Sequence, residues 1–215
     1  QLESAGYHDD TEMARVLRNT GIAHWSAQDF DAARSAYEQA LEIYDTTMDP
    51  GHPEVSYVVN SLAILYYNLG DFEAARPMFE RELANLERTL GPDHRNTASV
   101  MNNLGFLLIE MDLYDEARPK IEQSLRIRKA VLGEEHEEVA TSYCNLGRLQ
   151  EATNDLETAY QTIGRCVEIR ESVLGDNHPL VAGALELRAG LARRLQYEDA
   201  AIKMERRAAD IRDTP

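Results

Sequence analysis

The stretch LGDFEAARPMFERELANLERTLGPDH at residues 69–94 returns as MDLYDEARPKIEQSLRIRKAVLGEEH at 111–136 and as TNDLETAYQTIGRCVEIRESVLGDNH at 153–178. Each copy starts 42 residues after the last, and the step is marked by His52, His94, His136 and His178. It also links Phe72, Tyr114 and Leu156, and Ala75, Ala117 and Ala159. Leu62, Leu104 and Leu146 recur in the same way, each followed by a small residue: Ala63, Gly105 and Gly147. One period back lie Gly21, Phe30 and Ala33. One period forward, Tyr197 and Ala200 arrive a residue early, so the last unit is expected to be one residue short, with Arg188 or Ala189 at its small position. That makes five units, and self-similarity at this period is the signature of a stacked repeat array.

Each unit holds two helix-length stretches, roughly Val55–Leu69 and Asp71–Leu90 in the second copy. Apolar residues fall at three- and four-residue steps, as in Leu62, Leu65, Tyr66 and Leu69, then Phe72, Ala75, Phe79, Leu83 and Leu86. No stretch alternates as a strand would. The turns Leu-Gly-Asp-Phe at 69–72, Pro-Gly-His-Pro at 50–53, Leu-Gly-Pro-Asp-His at 90–94 and Leu-Gly-Asp-Asn-His-Pro at 174–179 stop one helix and start the next. A small residue lets two helix backbones approach, and an aromatic fills the space beside it. A single hairpin of this kind cannot bury its apolar face alone, so the hairpins must stack into an all-α solenoid. Pro77 and Pro119, one period apart inside the second helix, are read as sources of curvature.

Composition narrows the function classes. The 215 residues carry a net charge of −16, which opposes nucleic acid and anionic membrane surfaces as principal partners. No apolar run approaches the roughly 18 residues of a membrane span. Two cysteines, Cys144 and Cys166, cannot build a disulfide framework and suit a reducing, cytoplasmic setting; Cys166 shares a small-residue position with Ala40 and Ser124 and is read as core. There is no Gly-x-Ser-x-Gly, phosphate loop, His-Glu-x-x-His or Cys-x-x-Cys, so neither enzymatic chemistry nor a cofactor is expected. The four periodic histidines lie one repeat apart, too far to share a metal, and each is expected to bond within its own turn. His8 and His24 have no partner in register and are read as ordinary.

The series Asn103-Leu104-Gly105, Tyr114-Asp115-Glu116-Ala117, Ile127-Arg128-Lys129 and Leu132-Gly133-Glu134-Glu135-His136 resembles the 42-residue tetratricopeptide repeat of the kinesin light chain family. The unit ending Ile169-Arg170-Glu171-Ser172-Val173-Leu174-Gly175-Asp176-Asn177-His178-Pro179 is similar, and the likeness spans about residues 11–212. The resemblance implies a right-handed superhelical solenoid of about five helix-turn-helix units, at roughly 11–53, 54–95, 96–137, 138–179 and 180–212, after a partial lead-in at 1–10. It also implies that the first helix of each pair lines a concave groove. The inward positions are then Arg18, Asn19, Ile22 and Trp25; Asn60, Ser61, Ile64 and Tyr67; Asn102, Asn103, Phe106 and Ile109; and Cys144, Asn145, Arg148 and Glu151. Arg15, Tyr57, Ser99 and Thr141 lie one turn earlier.

On that stripe asparagines recur, and an amide both donates and accepts, which suits the backbone of an extended peptide. In the resembled family, inner-face asparagines hold bound segments. The expected peptide-binding set is Arg15, Arg18, Asn19, Trp25, Asn60, Tyr67, Asn102, Asn103, Phe106, Asn145 and Arg148, with the acids mainly outside it. The carboxylate clamp of chaperone-binding relatives is not in place, because Ile22 follows Gly21 and Phe106 follows Gly105. The expected function is a non-catalytic scaffold for a protein or peptide partner. A regulatory arm of a larger signalling NTPase or protease-linked effector is the alternative, and an RNA-reading repeat is opposed by the acidity. Kinesin light chain also has a heptad-rich segment, which this sequence lacks, so a motor-adaptor role is not expected. The opening Gln1 suggests a piece of a longer chain, and apolar Ala201, Ile202, Met204, Ala208 and Ile211 suggest that further chain or a second copy packs on the last helix.

Overall fold

In the computed structural model, which describes residues 2–213, short closures set the hairpins. Gln28, Gly70, Asp112, Asn154 and Gln196 all adopt left-handed backbone, with φ between 59° and 76°. After each, the next N–H bonds a carbonyl five residues back: Asp29 to His24, Asp71 to Tyr66, Leu113 to Leu108, Asp155 to Gln150 and Tyr197 to Ala192. This is the 6→1 closure that ends a helix and reverses the chain. Only the second unit uses glycine there, which is why a search for Gly finds one of the five.

The turns between hairpins work differently. His52, His94, His136 and His178 are each the N-cap of the helix that follows. Each imidazole Nδ1 accepts from the backbone N–H two residues on, at 3.1–3.2 Å. The recurrent histidine therefore satisfies one of the orphan donors at a helix start, a role more often filled by Ser or Asp. The expectation that each histidine bonds within its own turn holds.

Ten helices and no strand form among the described residues: α1 (Leu2–Ser26), α2 (Phe30–Thr47), α3 (Pro53–Asn68), α4 (Phe72–Thr89), α5 (Arg95–Glu110), α6 (Tyr114–Leu132), α7 (Glu137–Ala152), α8 (Leu156–Leu174), α9 (Pro179–Arg194) and α10 (Glu198–Arg212). First helices start at 53, 95, 137 and 179 and second helices at 30, 72, 114, 156 and 198, a step of 42 throughout. The fifth unit therefore keeps the 42-residue register, contrary to the expected shift by one. Ala189 takes the small position and Ala201, not Ala200, is buried, while Tyr197 lies just outside α10. No described helix is long and apolar enough to cross a membrane.

The chain divides into two compact units, one ending at Pro92 and one starting at Asp93. In the first, Ala14, Ala33, Tyr37, Ala40, Tyr44, Val58, Leu62 and Leu65 form the core. In the second, one cluster gathers Val139, Ile163, Cys166, Val167, Ile169, Leu185, Ala208 and Ile211. The small residues show their purpose in contact: a Cβ on Gly21 would fall 2.6 Å from the Tyr37 ring, and on Gly105 or Gly147 2.5 Å from Ile121 or Ile163. Two buried arginines also join neighbouring helices. Arg128 of α6 donates to Ser99 Oγ of α5 and to Ser142 Oγ and the Glu138 carbonyl of α7. Arg170 of α8 repeats this, reaching Thr141 Oγ1 of α7 and the Leu180 carbonyl of α9.

Cys144 of α7 and Cys166 of α8 are joined in a disulfide, their Cα atoms 5.5 Å apart and both side chains buried. Reading them as reduced thiols was wrong. Position 144 turns toward its own second helix, facing the register where Ala40 and Ser124 sit, so a cysteine on each side is within bonding reach. Ala201, Ala208 and Ile211 of α10 are also spent on the core, leaving Ile202 as the exposed one.

Candidate functional site

In the first unit, the face presented by α1 and α3 contains a recess of about 160 Å³ lined by Ile22, Trp25, Tyr37, Tyr57, Ser61 and Ile64. Helical spacing produces it: Ile22 and Trp25 lie one turn apart on α1, and Tyr57, Ser61 and Ile64 share a stripe of α3. The floor comes from α2. Tyr37 occupies the register of Phe79, Ile121 and Ile163, and its ring fits under Gly21, which has no Cβ to oppose it. Its hydroxyl meets Ser61 and Tyr57, and burial above all raises its pKa to about 12. The recess thus has apolar walls and a neutral hydroxyl cluster at its base, a combination suited to an apolar side chain with a polar tip.

Arg18 sits at the edge, its guanidinium 5.6 Å from the centre of the Tyr57 ring and ion-paired with Glu54. It also bonds the Asn19 side chain, while Arg15 pairs with Glu12 at 3.1 Å. The positive charge read from these two positions is therefore largely offset by neighbouring acids. Trp25 makes an edge contact with Phe30 at 5.6 Å and lines the recess. Tyr67 instead stacks on Phe72, at 5.6 Å, and Asn60 is half-buried outside the recess.

In the second unit, the comparable stripe of α5 and α7 presents Asn103, Phe106, Asn145 and Arg148, all partly exposed. Arg148 lies 5.4 Å over the Phe106 ring. Asn102 does not join them. At 2% exposure, its side chain faces the interior, and its Oδ1 has no hydrogen-bond partner among the described residues. Position 102 is the register of Cys144, so burial at both has one cause: that helix face turns toward the second helix of the hairpin. Of the anticipated set, Trp25 reaches the recess and Asn103, Phe106, Asn145 and Arg148 share a stripe, while Asn102 is withdrawn. Tyr37 was missed because it belongs to a second helix; the signal was a tyrosine in a register held by Phe79, Ile121 and Ile163 in the next three units. His8 and the other side chains at 1–9 lie outside the described residues.

Hairpins of this length, in-register small residues and buried inter-hairpin arginines define a helical-repeat protein. The chain belongs to the tetratricopeptide repeat family: profiles of that description match residues 54–119 and 99–172, and 13–54. Similar folds include the crystal structure of BtubC (BKLC) from P. vanneervenii, with TM-score 0.75 and 22% identity over 97% of this chain and 89% of that one. A Podosopora anserina kinesin light chain-like protein with nearly identical TPR-like repeats gives TM-score 0.75 at 20% identity, covering 94% and 96%. The apo form of RapI gives 0.73 at 18%, covering 94% of this chain and 54% of RapI. No curated protein matches by sequence. At these identities the likeness is one of fold.

Proposed function

We propose that this chain is a protein-interaction scaffold that holds an extended peptide segment of a partner along the first-helix face. Tetratricopeptide repeats serve such scaffolding in general, and the recess of Ile22, Trp25, Tyr37, Tyr57, Ser61 and Ile64 carries the finer reading. It is apolar-walled, partly open and floored by hydroxyl groups, so it suits one anchoring side chain. In the second unit, taken by itself, the partly exposed amides of Asn103 and Asn145 offer paired donors and acceptors for peptide backbone. The scaffold needs no cofactor, and protein rather than nucleic acid or membrane is the partner that a chain of net charge −16 admits.

The single tryptophan lies in the recess, so binding reports on itself. A peptide library screened by Trp25 emission should yield ligands whose affinity falls about tenfold or more in Tyr57→Ala/Ile64→Ser, since truncating a central anchor contact costs about 2 kcal/mol. Unchanged helicity with equal binding by that variant would overturn the proposal.

A further inference from the structure

We propose that the crevice between α8 and α9 is a second docking point, where Arg188 receives a carboxylate side chain from a partner protein. Arg188 stands in the register of Leu62, Leu104 and Leu146, a mainly apolar position in the other first helices. Facing it across the crevice is Gly164, in the register of Glu38, Glu80 and Glu122. The two departures fit one another. A Cβ on residue 164 would fall 2.9 Å from the guanidinium carbon, so glycine is what lets the head group lie there. At the same 24-residue spacing the sequence elsewhere pairs Glu38 with Leu62, Glu80 with Leu104 and Glu122 with Leu146; here the acid is gone and a cation has arrived.

Arg188 rests on the Tyr160 ring at 4.4 Å, and Tyr197 meets Tyr160 edge-on at 5.6 Å. Its Nε is buried and has no hydrogen-bond partner among the described residues. Acids are plentiful on these helices and are taken up elsewhere. Arg165 holds Glu135 and Glu168, Arg193 holds Glu198 and Glu205, Arg194 holds Glu151, and Arg207 holds Glu171. Arg188 is paired with no carboxylate among the described residues. Stacking covers one guanidinium face and Nε is enclosed, which leaves the Nη end of this partly exposed side chain for a planar, two-oxygen acceptor. Arginine beside half-exposed tyrosines is also the composition of interface anchors. A single guanidinium in a chain of net charge −16 favours a monoanion over a doubly charged phosphate, since the surrounding acids repel the second charge. The contact is separate from the first-helix stripe and stands or falls independently of it.

The Nε–Hε resonance of Arg188 in the ¹⁵N-labelled chain reads the site directly. Sodium acetate should produce a saturable shift beyond that of sodium chloride at equal ionic strength, absent in Arg188→Gln. Gly164→Ala, which displaces the guanidinium and keeps a good helix former, should weaken the acetate response about tenfold. A shift no larger than chloride gives, or one unaltered in Gly164→Ala, would overturn the proposal. A stronger response to inorganic phosphate than to acetate would overturn the carboxylate assignment. Because the wild-type and Gly164→Ala arms suffice, a poorly folded Arg188→Gln leaves the test intact.

Discussion

Glu82→Gln should make the first unit more stable at neutral pH and leave it unchanged in acid. Glu82 is 4% exposed on α4, in the register of Ala40, Ser124, Cys166 and Ala208. Burial raises its carboxyl from 4.5 to about 7, partly offset by hydrogen bonds with Ser56 and Asn85 and by nearby Arg81. The folded state therefore binds a proton more tightly than the unfolded chain does. Stability from this group is full below pH 4.5 and is lost as pH rises to about 7. Each tenfold difference in proton affinity between the two states is worth about 1.4 kcal/mol, so the whole loss comes to about 3 kcal/mol. Glutamine keeps the shape and the hydrogen bonds without the titration. Urea unfolding followed by Trp25 emission, which reports on the same unit, should give equal stabilities for the two proteins at pH 4. At pH 8, Glu82→Gln should be more stable by about 3 kcal/mol. A difference that stays constant with pH, or a less stable variant at pH 8, would refute the reasoning.

Replacing both cysteines with alanine should lower the second unit's stability by about 3 kcal/mol, the chain-entropy value for a cross-link spanning 22 residues. A reductant should lower the wild-type melting temperature and leave the variant's alone; an intact-mass measurement under non-reducing conditions shows whether two hydrogen atoms are missing. Gly147→Ala places a methyl 2.5 Å from Ile163 and should cost about 1–3 kcal/mol by overpacking despite better helix propensity. A double-mutant cycle with Ile163→Ala should show favourable coupling, and strict additivity would count against the contact. His94→Ala should cost about 1 kcal/mol by removing the N-cap acceptor, whereas His94→Asn should stay close to wild type in thermal denaturation. Gln196→Gly should raise stability by about 0.5–1 kcal/mol, because glycine adopts the φ of 64° without strain; a fall in melting temperature would contradict this.

Much of the fold could be read before any coordinates, because period, small residues and turn punctuation are one-dimensional marks of hairpin stacking. The 42-residue step recurs in the starts of α2 to α10, while α1 begins earlier, at Leu2. It failed locally where chemistry did not repeat with geometry. Tyr197 was matched to the aromatic series by type, and that shifted the last unit by one, although the left-handed turn at Gln196 keeps the register. The stripe positions carried less information. Asn102 and Asn103 are neighbours on α5, yet a rotation of about 100° around the helix puts one inside and one at the surface. The cysteine pairing escaped for the same reason: 22 residues is the distance from one helix face to its partner across the turn, which only the hairpin's geometry reveals. Arg128 and Arg170 were visible as recurring letters, but their reach across three helices depends on burial that composition does not disclose.

Those two arginines make α7 the shared party of two clasps. Arg128 grips it from α6 at the Glu138 carbonyl and Ser142, and Arg170 from α8 at Thr141. A repeat array is a one-dimensional lattice whose members ordinarily fray from the ends inward. Where each guanidinium touches the helix before and the helix after its own, opening one hairpin strands donors in both neighbours. Nearest-neighbour coupling then outweighs the intrinsic preference of any single hairpin. Helices α5 to α9 should show a common opening free energy in hydrogen exchange, instead of a gradient along the array. The second unit should then behave less as a row of separable modules than as one block that opens together.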